Sequence, residues 1–439
     1  MVLALAVGPA TPSTAVAAPV SPAPATSAAA ASATADASTP SPDGIRASPA
    51  AGSEPTAAPA GLPSPVPSPA FSARPRWERR IDRLTAHRAV SVCVGVAGRM
   101  VYRRRATVHR APASNEKLIL SMALLDRLGA AATLPTIAEA PHLDGRTIRG
   151  ALWIRGSGDP EVGRARMRTL AHRLKAAGIR RIKGRVMGSI PPFAHDWWAP
   201  GWRPSFPATE VARPTALTFE GNRAHGRNIT DPERRAAASL TSQLRSIGVR
   251  VRGRPGAGRP PRGTMRMAVV RSAPLEAILR RQNVKSRNFY AEVLGKLLGE
   301  RRFEPPGTIR KGARAVERWT RAHGVHVTAH DGSGLSYRNR VTAAGIVRLL
   351  WAADQAPWGT DVRGTLARGG RGTLTGRLRT VDVRAKTGTL DNISALSGWV
   401  RLQRTGGWAD FSILSRGLSK TTAIRVEDRV VHAVAANAG

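Results

Sequence analysis

Three short motifs, each occurring once in 439 residues, constrain the fold of this chain more than any other feature. In chain order they are Ser114-Asn115-Glu116-Lys117, Ser286-Arg287-Asn288 and Lys386-Thr387-Gly388. Only 8 of the 68 basic residues are lysine, and two of these eight lie in the motifs. A buried lysine amine can lose and regain a proton near neutral pH, whereas an arginine guanidinium cannot. The motifs therefore predict a fold that gathers hydroxyl, amine and amide groups around a base.

The first motif is expected at the start of a helix. Apolar residues spaced as Leu118, Met122 and Leu125 predict a helix from Ser114 to Leu128. Ser114 would begin this helix and Lys117 would follow one turn later on the same face, so the amine could reach the hydroxyl. Helix capping is the commoner reason for a serine at this position. The lysine and the two partner motifs favour a catalytic role, with Ser114 as nucleophile and Lys117 as base.

The second and third motifs are expected to complete the site. Ser286 and Asn288 open another helical pattern, where capping is again the alternative, and they could relay a proton and hold a substrate carbonyl. Residues 381–389 alternate as a strand, whose edge could pair with an extended peptide. Gly388 would let that peptide approach closely, and the Ser114 and Thr389 backbone N–H groups could form an oxyanion hole. The pocket predicted for a free carboxylate consists of Lys386, Thr387 and Thr389.

Three blocks carry a resemblance to a known family: Arg155-Gly156-Ser157-Gly158-Asp159-Pro160, Asp331-Gly332-Ser333-Gly334-Leu335-Ser336 and Lys386-Thr387-Gly388-Thr389-Leu390. With the ordered motifs, they resemble the D-alanyl-D-alanine carboxypeptidase/endopeptidase family, the dacB-type low-molecular-mass penicillin-binding proteins, from about Arg76 onward. The resemblance implies a mixed α+β fold. Its penicillin-binding, serine β-lactamase-like domain would have an antiparallel sheet flanked by helices, plus an inserted β-rich region.

The resemblance also implies an activity. A serine-type D-Ala-D-Ala carboxypeptidase/endopeptidase would act on peptidoglycan stem peptides through an acyl-enzyme, and β-lactams such as penicillins would inhibit it covalently. The implied roles are Ser114 as nucleophile, Lys117 as base, Ser286 with Asn288 as second motif, and Lys386, Thr387 and Thr389 as carboxylate ligands. No cofactor or metal is expected. Arg287 departs from the family pattern, which often has an acid there.

Spacing and composition predict three segments. Ser114 and Ser286 lie 172 residues apart, so residues 76–134 and 271–439 are expected to form the catalytic domain around an inserted region at 135–270. Residues 1–75 are rich in alanine, proline and serine, which predicts a disordered linker. Val2 to Val7 and Ala15-Val16-Ala17 resemble a truncated secretory signal, although a low-complexity extension is the alternative. We therefore expect an exported, extracellular or wall-associated protein.

Charge and hydropathy limit the partners. The formal net charge is +39, with only 29 acidic residues, which favours contact with anionic wall polymers. Nucleic acid is the competing partner, but no recognised nucleic-acid-binding signature accompanies the charge. No apolar run approaches the ~20 residues of a transmembrane helix. The single cysteine, Cys93, lies in an alternating apolar run and is predicted to be a buried strand residue.

Four other functions have sequence features by which they can be recognised. A β-lactamase would need Glu-x-x-x-Asn after the nucleophile, and no glutamate from Glu139 to Glu233 has it; an α/β-hydrolase would need Gly-x-Ser-x-Gly, which is absent. Three histidines at 323, 326 and 330 beside Asp331 could suggest a metal, but such residues are more often surface or packing residues. A catalytically silent, basic wall-binding scaffold stays open because of Arg287.

Overall fold

The computed structural model describes residues 74–438. The predicted signal-like start and the predicted linker up to residue 73 lie outside the described residues. The helices are α1 Arg76–Thr85, α2 Glu116–Leu128, α3 Arg164–Ala176, α4 Phe206–Thr209, α5 Pro232–Ser246, α6 Leu275–Lys285, α7 Asn288–Phe303, α8 Ile309–Ala322, α9 Ala343–Gln355, α10 Gly359–Gly364 and α11 Lys420–Asn437. Within the described residues, no helix is long and apolar enough to cross a membrane.

The strands belong to several sheets. They are β1 Val90–Val96, β2 Arg99–Arg104, β3 Pro135–Ala140, β4 Leu143–Asp144, β5 Thr147–Ile148, β6 Leu152–Arg155, β7 Arg181–Ile182, β8 Val186–Ser189, β9 Arg223–Ala224, β10 Arg227–Asn228, β11 Arg250–Val251, β12 Gly256–Gly258, β13 Met265–Arg271, β14 Ala367–Arg368, β15 Val383–Leu390, β16 Ile393–Arg401 and β17 Trp408–Arg416. The three 3₁₀ turns described span Ala113–Asn115, Glu220–Asn222 and Gly372–Leu374.

The largest sheet is antiparallel, has the strand order β14-β15-β16-β17-β1-β2, and combines distant parts of the chain. Val90 lies opposite Ser415, so β1 pairs with β17 along its whole length. Alternation along β1 divides two cores: Val92 and Val94 pack with α1 and α11, whereas Cys93 packs with α2 and α9. Cys93 is fully buried, as predicted. The predicted mixed α+β class with an antiparallel sheet and flanking helices is confirmed.

Residues 135–271 form two further sheets of four and five strands, besides the two-stranded pair β9-β10. One has the order β12-β8-β6-β3-β13 and the other β11-β7-β5-β4. A separate apolar core, from Ala138 to Val270, includes buried residues of α3 and α5. Both sheets contain parallel pairs: in the chain, α3 lies between the paired strands β5 and β7 and also between β6 and β8, and α5 lies between β7 and β11 and also between β8 and β12. This segment therefore has an interior distinct from the two cores of the large sheet.

Candidate active site

The Ser114 hydroxyl and the Lys117 amine are in hydrogen-bond contact, with Nζ to Oγ at 2.9 Å. The predicted helix begins two residues later than expected, because Ser114 lies in the 3₁₀ turn that precedes α2. The neighbouring Asn115 donates to the Ser397 hydroxyl of β16 at 2.8 Å and so fixes the turn to the large sheet. Ser114 is partly exposed, whereas Lys117 is completely buried. The Ser114 hydroxyl therefore lies at a partly accessible position, whereas its amine partner is shielded from water.

Lys117 holds its position through two further contacts. Its amine donates to Asn288 Oδ1 at 2.8 Å and to the backbone carbonyl of Ser333. Burial lowers the pKa of Lys117 to about 8, and nearby carboxylates, Asp331 foremost, limit the shift. Roughly a tenth of the amine is then neutral at pH 7, compared with well under a thousandth for an ordinary lysine. Lys117 can therefore accept a proton under physiological conditions.

A second amine and hydroxyl pair lies in the same site. Lys386 Nζ donates to Ser286 Oγ and to the Thr387 carbonyl, both at 2.9 Å. Burial, followed by the positive charge of Lys117, lowers the pKa of Lys386 well below its usual value. The alternative expectation, that Ser286 caps the second helix, is wrong, because Arg287 is the residue that precedes α7. Ser286 ends α6 in the left-handed region at φ 53°, and Asn288 is the first residue of α7. A serine seldom adopts that conformation, which here directs its hydroxyl toward Lys386.

The third motif lies on a partly free strand edge. β14 pairs only with Arg384 and Ala385, so within the described chain no strand covers that edge of β15 from Lys386 to Leu390. Gly388 packs against the turn that carries Ser114, where an added Cβ would lie 2.8 Å from the Pro112 carbonyl oxygen. The motif glycine therefore permits close packing between the nucleophile turn and β15, a reason different from the predicted approach of substrate.

The block around Asp331 supports the base. Asp331 is fully buried and accepts hydrogen bonds from Trp202 Nε1 at 2.7 Å and Asn339 Nδ2 at 2.7 Å. It also accepts from the backbone N–H groups of Gly334 and Ser336 at 3.0 and 2.8 Å. These bonds shape the loop whose Ser333 carbonyl contacts Lys117. The described residues contain no group of three or more His, Cys, Asp or Glu side chains placed to hold a metal ion.

Several site residues were missed by the sequence reasoning. Lys420, at the start of α11, donates to the Thr389 hydroxyl, and its only sequence signal is that lysine is rare in this chain. Glu210 accepts from the Asn288 amide at 3.3 Å, and no motif marked it. Glu292, whose pKa burial raises to about 8, accepts from the Ser333 N–H at 2.7 Å.

Arg287, which departs from the family pattern, is engaged elsewhere. Its guanidinium lies 4.8 Å from the centre of the Tyr290 ring and donates to the Tyr290 hydroxyl at 2.7 Å. That hydroxyl donates to Glu161 at 3.1 Å, and Glu161 is paired with Arg281. Arg287 is exposed and forms no contact with Lys117 in the described chain. Its charge therefore extends a network beside the site and leaves the two amine and hydroxyl pairs intact.

Comparisons of the sequence with known proteins point to one family. The sequence model described as "D-Ala-D-Ala carboxypeptidase 3 (S13) family" matches residues 80–225 and 216–437. A D-alanyl-D-alanine carboxypeptidase of Actinomadura sp. (strain R39) is 29% identical over 434 residues, covering 78% of this chain and 80% of that protein. Carboxypeptidase DacB of Mycolicibacterium smegmatis is 28% identical over 360 residues, covering 74% and 75%.

A solved structure is also similar. The crystal structure of penicillin binding protein 4 (dacB) from Haemophilus influenzae has a TM-score of 0.71 at 19% identity, covering 81% of this chain and 99% of that one. The family resemblance read from the motifs is thereby confirmed, as is the prediction of an enzyme of this peptidase class. This chain belongs to the D-Ala-D-Ala carboxypeptidase 3 (S13) family.

Proposed function

We propose that this chain is a serine-type D-Ala-D-Ala carboxypeptidase/endopeptidase that cleaves peptidoglycan stem peptides through an acyl-enzyme and is covalently inhibited by β-lactams. The observation that carries the proposal is the 2.9 Å contact between Ser114 Oγ and a completely buried Lys117 amine. An activated hydroxyl beside a base of lowered pKa is the arrangement that nucleophilic catalysis requires. Family membership supplies the substrate class.

Acylation follows from the contacts of Lys117. The neutral amine takes the Ser114 hydroxyl proton while Oγ bonds to the carbonyl carbon of the penultimate D-alanine. The resulting oxyanion would accept hydrogen bonds from the Ser114 and Thr389 backbone N–H groups. When the carbon–nitrogen bond breaks, the proton passes to the departing amine, and Ser286 is the candidate relay. The products are an ester on Ser114 and a free D-amino acid, and water then releases the peptide.

Substrate would lie along β15. Its edge from Lys386 to Leu390 offers backbone partners for an extended peptide. Lys386, Thr387 and Thr389 form the proposed carboxylate pocket, and the Lys420 amine beside the Thr389 hydroxyl adds positive charge there. In a β-lactam the cleaved amide belongs to a ring, so the departing amine stays tethered to the acyl group. That tether explains why the penicillin ester would persist.

The arrangement of the chain is part of the proposal. Residues 76–134 and 271–439 would form the catalytic domain, and residues 135–270 the inserted region with its own apolar core. Access to peptidoglycan requires export and wall association, which the net charge of +39 would favour through anionic wall polymers.

Labelling with a fluorescent penicillin tests the proposal directly. Wild-type protein should carry one covalent label, and Ser114→Ala should carry none while retaining the same thermal unfolding midpoint. Ser246→Ala provides a control, since Ser246 is exposed and its hydroxyl donates to the Gln243 carbonyl at 2.9 Å, outside the site. Folded wild-type protein that takes no label would favour the scaffold. Release of D-alanine from a defined stem pentapeptide, compared with cleavage of a cross-linked dimer, distinguishes carboxypeptidase from endopeptidase action.

A further inference from the structure

A group of positive charges lies on the sheet β11-β7-β5-β4 and shares no residue with the candidate active site. β7 and β11 run parallel, with Arg250 beside Arg181 and Val251 beside Ile182. The Arg252 N–H donates to the Ile182 carbonyl at 3.2 Å, so the two chains stay paired for one more step. This continuation brings Arg252 alongside Lys183.

Strand alternation gives these residues a common face. Ile182 and Val251 are buried in the apolar core of residues 138–270, so their sequence neighbours point to the opposite side. The four neighbours, called the cationic block from here on, are Arg181, Lys183, Arg250 and Arg252. Neighbouring positions are about 5 Å apart across the strands and about 7 Å apart along them. The four basic residues are therefore attached at the corners of a small rectangle of backbone positions.

The cationic block borders an open concavity of about 600 Å³. Arg245, near the end of α5, also lines it and donates to the Val251 carbonyl at 2.9 Å, which fixes that guanidinium at the rim. The lining contains neither a carboxylate nor an aromatic ring. The concavity therefore has the charge and the access that an extended anion needs.

Carboxylates are absent from the two sequence segments that contain the cationic block. No aspartate or glutamate occurs between Glu161 and Asp196, or between Glu233 and Glu276. Among residues 74–438, none of the block's side chains forms an ion pair. The one acidic residue in these four strands, Asp144, lies on the far edge strand and is paired with Arg149.

The adjacent positive charges of the cationic block also affect the stability of the sheet. Like charges directly beside one another on neighbouring strands destabilise a sheet. A bound polyanion would remove that repulsion, and a local arrangement that opposes folding is a common mark of a binding site.

We propose that the cationic block binds a linear polyol-phosphate polymer, an anionic chain of phosphodiester-linked sugar alcohols. Three of its four cations are arginine, whose planar guanidinium matches two phosphate oxygens at once. Nucleic acid also carries phosphates, but single strands are held by aromatic rings that stack on bases, and this lining has none. That the polymer is met in the cell wall rests on the proposed function. The chemistry by which the cationic block would bind phosphate is independent of it.

The test measures affinity of the full chain for poly(glycerol phosphate) over a series of salt concentrations. In the triple variant Lys183→Gln/Arg250→Gln/Arg252→Gln, the negative slope of log affinity against log salt should become shallower by about 2. Each lost phosphate contact accounts for about 0.7 of this change. At about 0.1 M salt this corresponds to a loss of about 100-fold in affinity. The matched control Arg76→Gln/Arg80→Gln/Arg83→Gln removes the same charge from the exposed side of α1 and should lose less than about threefold.

Equal losses in the two variants would overturn the proposal, because binding would then follow net charge alone. Tighter binding of single-stranded DNA, with the same sensitivity to the triple variant, would overturn the ligand class. Penicillin labelling should be unchanged in both variants, so a fault in the active site would be recognised separately. In wild-type protein the bound polymer should protect the Lys183 amine from acetylation and leave the exposed Lys285 reactive. Equal reactivity of Lys183 with and without polymer would also refute the site.

Discussion

Replacing Lys117 by arginine tests whether the base needs a removable proton or only a positive charge. The pKa of Lys117 is lowered to about 8, so roughly a tenth of the amine is neutral at pH 7. An arginine guanidinium stays protonated throughout the physiological pH range. The variant would therefore have no proton-accepting form at this position. Since general bases contribute typically 10²–10⁴-fold, acylation should slow by about that factor.

The assay is the second-order rate of penicillin acylation, measured from pH 5.5 to 9.5. In wild-type protein the rate should rise with pH and level off above about 8, because acylation requires the deprotonated amine. The arginine variant should acylate far more slowly than wild type, and its rate should not increase with pH over this range. Lys311→Arg is the matched control, because Lys311 is a partly buried lysine whose amine donates to the Glu304 carbonyl and contacts no site residue.

Two outcomes would refute this reasoning. If Lys117→Arg acylates within about tenfold of wild type, the residue acts through its charge, and proton transfer belongs to another group. If the wild-type rate is flat through pH 8, the buried amine does not titrate as the base. Thermal unfolding of the variant separates both outcomes from a loss of structure, since the larger guanidinium must fit a fully buried position.

Three further substitutions have expected outcomes. Lys420→Met should raise KM for a D-Ala-D-Ala peptide about three- to tenfold with little change in kcat, because it removes one charge beside the Thr389 hydroxyl; steady-state kinetics would contradict this if kcat fell instead. Gly388→Ala should abolish penicillin labelling in protein that still unfolds cooperatively, because the new Cβ meets the Pro112 carbonyl, and normal labelling would argue against that packing. Asp331→Ala should lower the free energy of unfolding, measured by urea titration, by about 3 kcal/mol or more, because at least four buried donors lose their acceptor. A decrease of less than about 1 kcal/mol would show that the loop keeps its structure without these hydrogen bonds.

Local spacing predicted the parts of the site that one element contains. Ser114 and Lys117 are three residues apart at the start of a helix, so their contact follows from helix geometry. The strand carrying Lys386 was likewise recognisable from alternation, and its observed range, Val383–Leu390, differs from the expected 381–389 by two residues at the start and one at the end. The fold class and family followed from motifs whose order is specific.

Contacts between remote segments could not be predicted in this way. The Ser333 carbonyl reaches Lys117 across 216 residues, and only the folded loop around Asp331 brings them together. Ser286 looked like a helix cap because capping is local, but tertiary packing holds it in a left-handed conformation instead. Lys420 carried no motif at all. In each case the signal lies in the arrangement of elements, which periodicity along the chain does not encode.

The pairing of β1 with β17 has a consequence for how the protein is made. A ribosome delivers Val90 long before Ser415, so the large sheet cannot close until nearly all of the described chain has been synthesised. Segment 135–271 has its own apolar core, so we expect it to pack while the C-terminal strands are still awaited. The turn that carries Ser114 is fixed to β16 and packs on β15, so a chain still being synthesised cannot assemble the candidate active site. Such non-local pairing also predicts slow folding, and the enzyme would be inactive throughout that interval.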